Sequence, residues 1–383
     1  MYRYNGNGHG TVHWRKFDYV LFATVVLLII YGVLMIRSAT LGAVDTDLIE
    51  RVERQIQYGI VGVLLVVMLT ALDYRTLGAL HQWIYLAVLA LLGMVTFFGL
   101  IGEAGAQRWL NVGIAIQPSE ISKVLLIIAL GQHLANQYEK FNELKTVLVS
   151  LIYIAIPALF VFLQPSLGVT IVIMTIWAVM VWAAGLRLRH IGLFVLALIV
   201  LLPVVWIGME DYQRDRIFTF FEDTSDVNVE ELTPEEYQEI RDRQYNIEQA
   251  LISVGSGGLL GQGYAQGTQT QLRFQRVRHT DFIFTVIAHE LGFVGAVAAL
   301  GLIGVVIWRI TRVARLASDA FGSLICYGVA TLIFFQTFVA VGMNLNVLPV
   351  TGLPIPFIAS GGSSLLTMLF GIGLVESVAV RRA

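Results

Sequence analysis

Apolar and polar positions along the chain alternate in long blocks. Ten apolar runs are separated by short polar stretches: 17–37, 57–73, 76–100, 120–137, 146–163, 167–185, 190–209, 281–308, 318–343 and 362–379. Each is close to the roughly 20 residues that a helix needs to cross about 30 Å of hydrocarbon. The pattern predicts an all-α polytopic membrane protein of about ten transmembrane helices. It is expected to form a single domain over 1–383, with one large extracytoplasmic loop at 210–280. The first run follows the basic flank His13-Trp14-Arg15-Lys16 and is too long for a cleaved signal, so it reads as an uncleaved span.

Basic residues set the orientation. With the N-terminus inside, the inner segments carry Arg3, Arg15, Lys16, Arg75, Lys140, Lys145, Arg187, Arg189, Arg309, Arg312, Arg315, Arg381 and Arg382. The short outer segments hold only Arg37, Arg51, Arg54, Arg108 and Lys123. By the positive-inside rule both termini are cytoplasmic. The long loop carries thirteen carboxylates between Glu210 and Glu248, with a helix start expected at Pro234-Glu235-Glu236. Such a charge run is ordinarily a solvated face, and a protein-docking surface is the alternative.

Composition narrows the chemistry. The chain is 57% hydrophobic and 14% charged, against about one quarter charged in soluble domains, and its net charge of −2 gives no support to nucleic-acid binding. The single cysteine, Cys326, excludes a disulfide framework or a thiolate metal site within the chain. His289-Glu290-Leu291-Gly292-Phe293 begins like a zinc-protease helix but has Phe293 where the second histidine belongs. Gly255-Ser256-Gly257-Gly258 lacks dinucleotide-binding spacing, and no Walker lysine or nucleophile elbow is present.

Four polar clusters gather instead on the expected outer side. They are Gly105–Asn111 with Gln117–Lys123, Gln164-Pro165-Ser166-Leu167-Gly168, Arg278-His279-Thr280-Asp281-Phe282, and Leu348–Phe357 followed by Ser360–Ser364. Each has a structural explanation of its own. Ser119 suits a helix cap with Glu120 paired to Lys123, Thr280 suits a cap before Asp281, and the proline-rich stretches suit helix stops. Four on one face is harder to explain that way, because charged groups near hydrocarbon are costly and tend to mark sites.

Together these residues resemble the SEDS family of bacterial cell-wall proteins, typified by RodA and FtsW, over about Phe17 to Arg382. The resemblance implies a peptidoglycan glycosyltransferase of the bacterial cytoplasmic membrane, serving cell shape and cell division. It would polymerise lipid II at the outer leaflet and release undecaprenyl pyrophosphate. It would also work beside a class B penicillin-binding protein that supplies the transpeptidase, among the membrane lipids. The family's catalytic carboxylate falls on Asp281. A face without ATP needs a donor that carries its own leaving group, and a lipid pyrophosphate does so. A carboxylate can take the acceptor's proton. Arg108 and Lys123 are candidates to hold the pyrophosphate, with Glu120 orienting Lys123 or meeting substrate, and Trp109 packing on sugar or lipid. Gln117, Ser119, Gln164, His279, Thr280, Ser363 and Ser364 complete the candidate substrate contacts. No cofactor is specified by the residues; a divalent cation, Mg or Mn, is left open.

The chain departs from the family pattern at Ser166, where an aspartate is usual, and at Arg276-Val277, His289 and Ala359. Its Phe17-Asp18-Tyr19 and Leu348-Pro349-Val350-Thr351-Gly352 lean toward the elongation branch. Two rival readings stand beside the enzyme. A lipid II flippase would use His289-Glu290, which eight to nine residues into the eighth span lie roughly 13 Å deep, close to the bilayer centre. A non-catalytic scaffold for the penicillin-binding protein would tolerate Ser166. The outer parts of the eighth and ninth spans are the expected partner surface.

Overall fold

A computed structural model describes residues 13–42, 46–98, 100–101, 107–111, 115–138, 143–164, 166–186, 234–272 and 278–382, with isolated positions between 192 and 220. The expected seventh span, 190–209, falls almost wholly outside the described residues, as do 221–233 of the long loop.

Helices dominate because hydrocarbon leaves no water to satisfy backbone N–H and C=O groups. In chain order they are α1 (Tyr19–Thr40), α2 (Thr46–Ala71), α3 (Tyr74–Ala79), α4 (His81–Phe98), α5 (Pro118–Asn136), α6 (Leu144–Leu163) and α7 (Leu167–Ala183). They continue as α8 (Pro234–Gly257), α9 (Thr268–Gln271), α10 (Ile283–Glu290), α11 (Gly292–Leu316), α12 (Ala320–Asn344) and α13 (Gly362–Ala379). Six are long and apolar enough to cross a membrane: α1, the Leu48–Ala71 part of α2, α6, α11, α12 and α13. Shorter apolar stretches lie in α4 (His81–Thr96) and α7. The expected helix start at Pro234 is that of α8.

Two features depart from the sequence reading. Between α4 and α5 the chain forms a small antiparallel meander of β1 (Leu100–Ile101), β2 (Gln107–Asn111) and β3 (Ala115–Ile116), with Leu100 opposite Trp109 and Leu110 opposite Ile116. The run 281–308, read as one span, is two helices. It breaks at Leu291-Gly292, where Gly292 takes φ +65°. The 25 residues of α11 rise about 37 Å and need no help from α10 to cross.

The break is spliced by the glycine-rich segment after α8. Gln262 N–H donates to His289 C=O at 3.0 Å and Gly263 N–H to Glu290 C=O at 2.9 Å. In return Phe293 and Val294 N–H donate to Gly258 and Leu259 C=O at 2.9 and 3.1 Å. The last carbonyls of α10 and the first amides of α11, normally orphaned, are both satisfied. A side chain on Gly257 or Gly261 would run into the backbone of Ala288 or Glu290, so glycine is required at this contact.

The first and last described segments, His13–Lys16 and Val380–Arg382, meet at one end of the bundle. His13 N–H donates to Val380 C=O at 3.2 Å, and Lys16 Nζ to Arg382 C=O at 2.6 Å. Arg309 grips the buried Asp18 with contacts of 2.6, 2.9 and 3.0 Å, while Asp18 also caps α1 by accepting from Leu21 N–H. Tyr74 and Arg75 reach the α12 cap residue Asp319 at 2.6 and 2.9 Å. Burial, followed by Asp319, pushes the Tyr74 phenol well above its ordinary range, so it stays a neutral donor. The opposite, distal end holds the C-termini of α1, α6 and α12 and the N-termini of α5, α7 and α13.

Packing is tightest around α12 and α13, whose apolar windows are each 72% buried. Small residues admit close approach, as lipid-phase packing requires. Gly32 of α1 faces the Ile358 backbone, and Gly62 and Gly373 let α2 and α13 interlock through Leu369 and Leu69. Large apolar residues such as Ile30, Ile152 and Phe334 remain exposed, the surface expected to meet hydrocarbon.

Candidate active site

Asp281 lies at the distal end in a run of turns, Arg278–Phe282, that leads into α10. The helix N-cap is Phe282 and no side chain caps it, so Thr280 does not take the capping role its type suggested. The turn is tied to three other elements. Arg278 is buried and its Nε donates to Ala39 C=O at 2.6 Å, near the end of α1. Ser360 N–H donates to His279 C=O at 3.0 Å, from the segment before α13. Asn344 Nδ2 donates to Asp281 C=O at 2.8 Å, from the end of α12. Thr280 and Asp281 stay partly exposed, whereas Arg278 and His279 are buried.

The other clusters converge on the same end. Gln117 is the N-cap residue of α5, with Pro118 at the first helical position, and its N–H meets Ser363 Oγ at 3.4 Å. Ser119, expected as the cap, is instead buried inside the first turn. Ser363 and Ser364 open α13 and are partly exposed. The missing side chain of Gly168 admits the next segment: a Cβ there would lie 3.1 Å from Leu353 Cγ and 3.2 Å from Thr351 C=O. The start of α7 therefore lies against the Thr351–Leu353 stretch. Ser166 is the α7 N-cap without a side-chain capping bond.

Lys123 and Glu120 form the expected pair at 2.8 Å, but deep inside. Lys123 is 0% and Glu120 4% exposed. Lys123 Nζ also donates to Gln336 Oε1 at 3.0 Å, and Gln336 Nε2 donates on to Pro354 C=O at 2.9 Å. This chain ties α5 through α12 to the Pro354–Phe357 turn. The ammonium is engaged by protein groups, so holding a pyrophosphate would require Glu120 and Gln336 to release it. Gln164 is buried and engaged too, donating to Leu92 C=O at 2.9 Å and Thr96 Oγ1 at 3.3 Å. Arg108 and Trp109 lie in β2, and their side chains, like Pro165, fall outside the described set.

One site-building residue carried no signal in the sequence. Gln55 of α2 is buried and clamps the segment before α13, donating to Ala359 C=O at 3.2 Å and accepting from Gly361 N–H at 3.3 Å. In the run Glu50–Gln57 it looks like one more solvated polar residue. Phe357, 1% exposed, takes φ +66°, a left-handed conformation unfavourable for a bulky side chain and held by the surrounding packing. His289 and Glu290 are buried at the helix break. Ser38 Oγ donates to both Glu290 oxygens at 2.5 and 2.6 Å, and Ala265 N–H donates to the same carboxylate at 3.0 Å. Ser38 is on the last turn of α1, so this pair lies level with the distal end of that helix.

No group of three or more His, Cys, Asp or Glu suited to a metal occurs among the described residues.

A family model described as cell cycle protein, covering FtsW, RodA and SpoVE, matches residues 18–383. Among curated relatives, the Escherichia coli K12 peptidoglycan glycosyltransferase MrdB is 34% identical, covering 98% of this chain and 97% of the relative. A probable peptidoglycan glycosyltransferase FtsW of Geobacter metallireducens is 32% identical, covering 96% of each. The solved structure described as "Structural coordination of polymerization and crosslinking by a peptidoglycan synthase complex" contains a chain that matches with TM-score 0.77 and 30% identity. The match covers 95% of this chain and 97% of that one. Crystalline RodA, the rod shape determining protein of Thermus thermophilus, matches with TM-score 0.69 and 29% identity over 96% and 98% of the two chains. The family match takes in residues 18–383, nearly the whole chain, and the chain belongs to the FtsW, RodA and SpoVE family of cell cycle proteins.

Proposed function

We propose that the chain is a peptidoglycan glycosyltransferase that polymerises lipid II, with the distal end facing outward and both termini in the cytoplasm. The observation that carries this reading is the convergence of separated polar clusters on one end of the bundle, around a partly exposed Asp281. Relatives named peptidoglycan glycosyltransferase that match nearly end to end support the same activity. The gathering of Lys16, Arg309 and Arg382 at the opposite end, where the His13–Lys16 and Val380–Arg382 segments meet, supports the orientation.

The chemistry needs few groups. Asp281 takes the proton from the acceptor sugar hydroxyl as its oxygen bonds to the donor's anomeric carbon. The anomeric carbon–oxygen bond to pyrophosphate breaks, and undecaprenyl pyrophosphate leaves with the electron pair. Arg108 is the remaining cationic candidate for the departing phosphates, since Lys123 is engaged internally. Ser363, Ser364 and Thr280, partly exposed at the same end, are placed to hydrogen-bond sugar or phosphate. A class B penicillin-binding protein is the proposed partner.

Transport loses its main support. Glu290 and His289 sit at the splice between α10 and α11, and Glu290 is committed to Ser38 and Ala265.

The test is polymerisation of lipid II by purified protein with its class B partner, comparing wild type with Asp281→Ala at equal folded yield. Glycan strands from wild type and none from the variant are expected. Equal polymer from both removes Asp281 from catalysis. No polymer from either, with lipid II crossing liposome membranes, moves the function to transport.

A further inference from the structure

We propose that Asn344 is a positioning residue that holds the Asp281 peptide where its carboxylate meets the acceptor hydroxyl. The inference rests on the reading of Asp281 as the catalytic base. Asn344 is the last residue of α12 and is 0% exposed. Its Nδ2 donates to Asp281 C=O at 2.8 Å and to Ala340 C=O, one turn back on its own helix, at 2.7 Å. The amide therefore couples the rigid end of a largely buried helix to the peptide of Asp281 itself.

A second observation separates this from ordinary packing. Asn344 Oδ1 is buried and has no hydrogen-bond partner among the described residues. A buried unsatisfied acceptor costs stability, and a leucine of nearly the same shape would avoid that cost. The asparagine is thus a poor choice for stability alone, and what it supplies in exchange is the N–H donor on Asp281. That donor matters because the Arg278–Phe282 turn has no side-chain cap at its entry into α10. A small rotation of the Asp281 peptide swings its carboxylate through about 1 Å, a misplacement that can cost on the order of 100-fold in rate.

The test measures kcat and KM for lipid II with the class B partner present, alongside the thermal unfolding midpoint, for Asn344→Leu, Asn344→Asp and Asp281→Ala. Asn344→Leu keeps the shape and removes every polar atom. It relieves the unsatisfied Oδ1 but takes the donor from the Asp281 carbonyl, so the unfolding midpoint is expected to stay near that of wild type, with KM within twofold and kcat at least tenfold lower. Asn344→Asp keeps the shape without the amide donors and is expected to lose kcat to a similar degree. Asn344→Leu or Asn344→Asp with kcat within twofold of wild type would overturn the proposal. So would a rise in KM at unchanged kcat, or a loss matched by loss of folded protein in both variants. Asp281→Ala separates the two ideas. If it polymerises like wild type, the base assignment fails. If it is silent while Asn344→Leu is fully active, only the positioning role fails.

Discussion

Lys123→Met tests whether the buried ammonium is structural cement or a substrate clamp. Methionine matches the stem of lysine and removes the charge, leaving Glu120 in an interior where it is 4% exposed and where one oxygen, Oε2, already lacks a partner among the described residues. Breaking a buried ion pair from one side typically costs about 3–5 kcal/mol, because the remaining charge is stranded. Gln336 Oε1 loses its donor as well, which adds about 1 kcal/mol. The double variant Lys123→Met/Glu120→Gln strands no charge and is expected to recover most of that loss. The resulting coupling should be at least about 2 kcal/mol. The assay is a four-member cycle of unfolding midpoints and folded yield in one detergent, with lipid II polymerisation measured on each folded member. Recovery of stability in the double variant supports the structural role. A Lys123→Met protein as stable as wild type, with an unchanged cycle and a raised KM for lipid II, would refute it and restore Lys123 as a pyrophosphate ligand.

Other perturbations follow from the same packing. Gly32→Ala places a Cβ 2.6 Å from Ile358 C=O, a backbone atom that cannot swing aside, so folded yield by size exclusion should fall sharply. Wild-type yield would mean that α1 stands farther from that segment. Ser38→Ala removes the hydroxyl on buried Glu290 and should cost about 1–3 kcal/mol, read as an unfolding-midpoint shift that Glu290→Gln added to it largely offsets. Arg309→Ala strands Asp18, 1% exposed, and should cost about 3–5 kcal/mol, while Arg309→Lys restores only part because one ammonium cannot reproduce the forked contact. Equal stability of Arg309→Ala and wild type would show that the forked contact contributes nothing.

Much of the architecture was legible in the chain. The runs at 17–37, 146–163, 318–343 and 362–379 became α1, α6, α12 and α13 within a few residues. The reason is general: hydrocarbon forces each segment to satisfy its backbone internally, so apolar run length almost dictates the helix. The resemblance carried by the distal motifs was legible for a related reason. Polar groups near hydrocarbon are expensive, so they stand out against an apolar background.

Tertiary structure decided where those motifs meet and which polar groups are already engaged. The break at Leu291-Gly292 was hidden because a glycine in an Ala-rich span looks ordinary, and the loop that donates to His289 and Glu290 across it comes from another part of the chain. Gln55 and Asn344 were unremarkable as residue types, and their partners come from segments hundreds or tens of positions away. Lys123 reads from the sequence as a pyrophosphate ligand paired with Glu120; packing of α12 against α5 encloses it. Local pattern determines how much of the chain must be helix, because that choice is made residue by residue against lipid. The pairing of polar side chains is decided between helices, by distances that no single segment encodes.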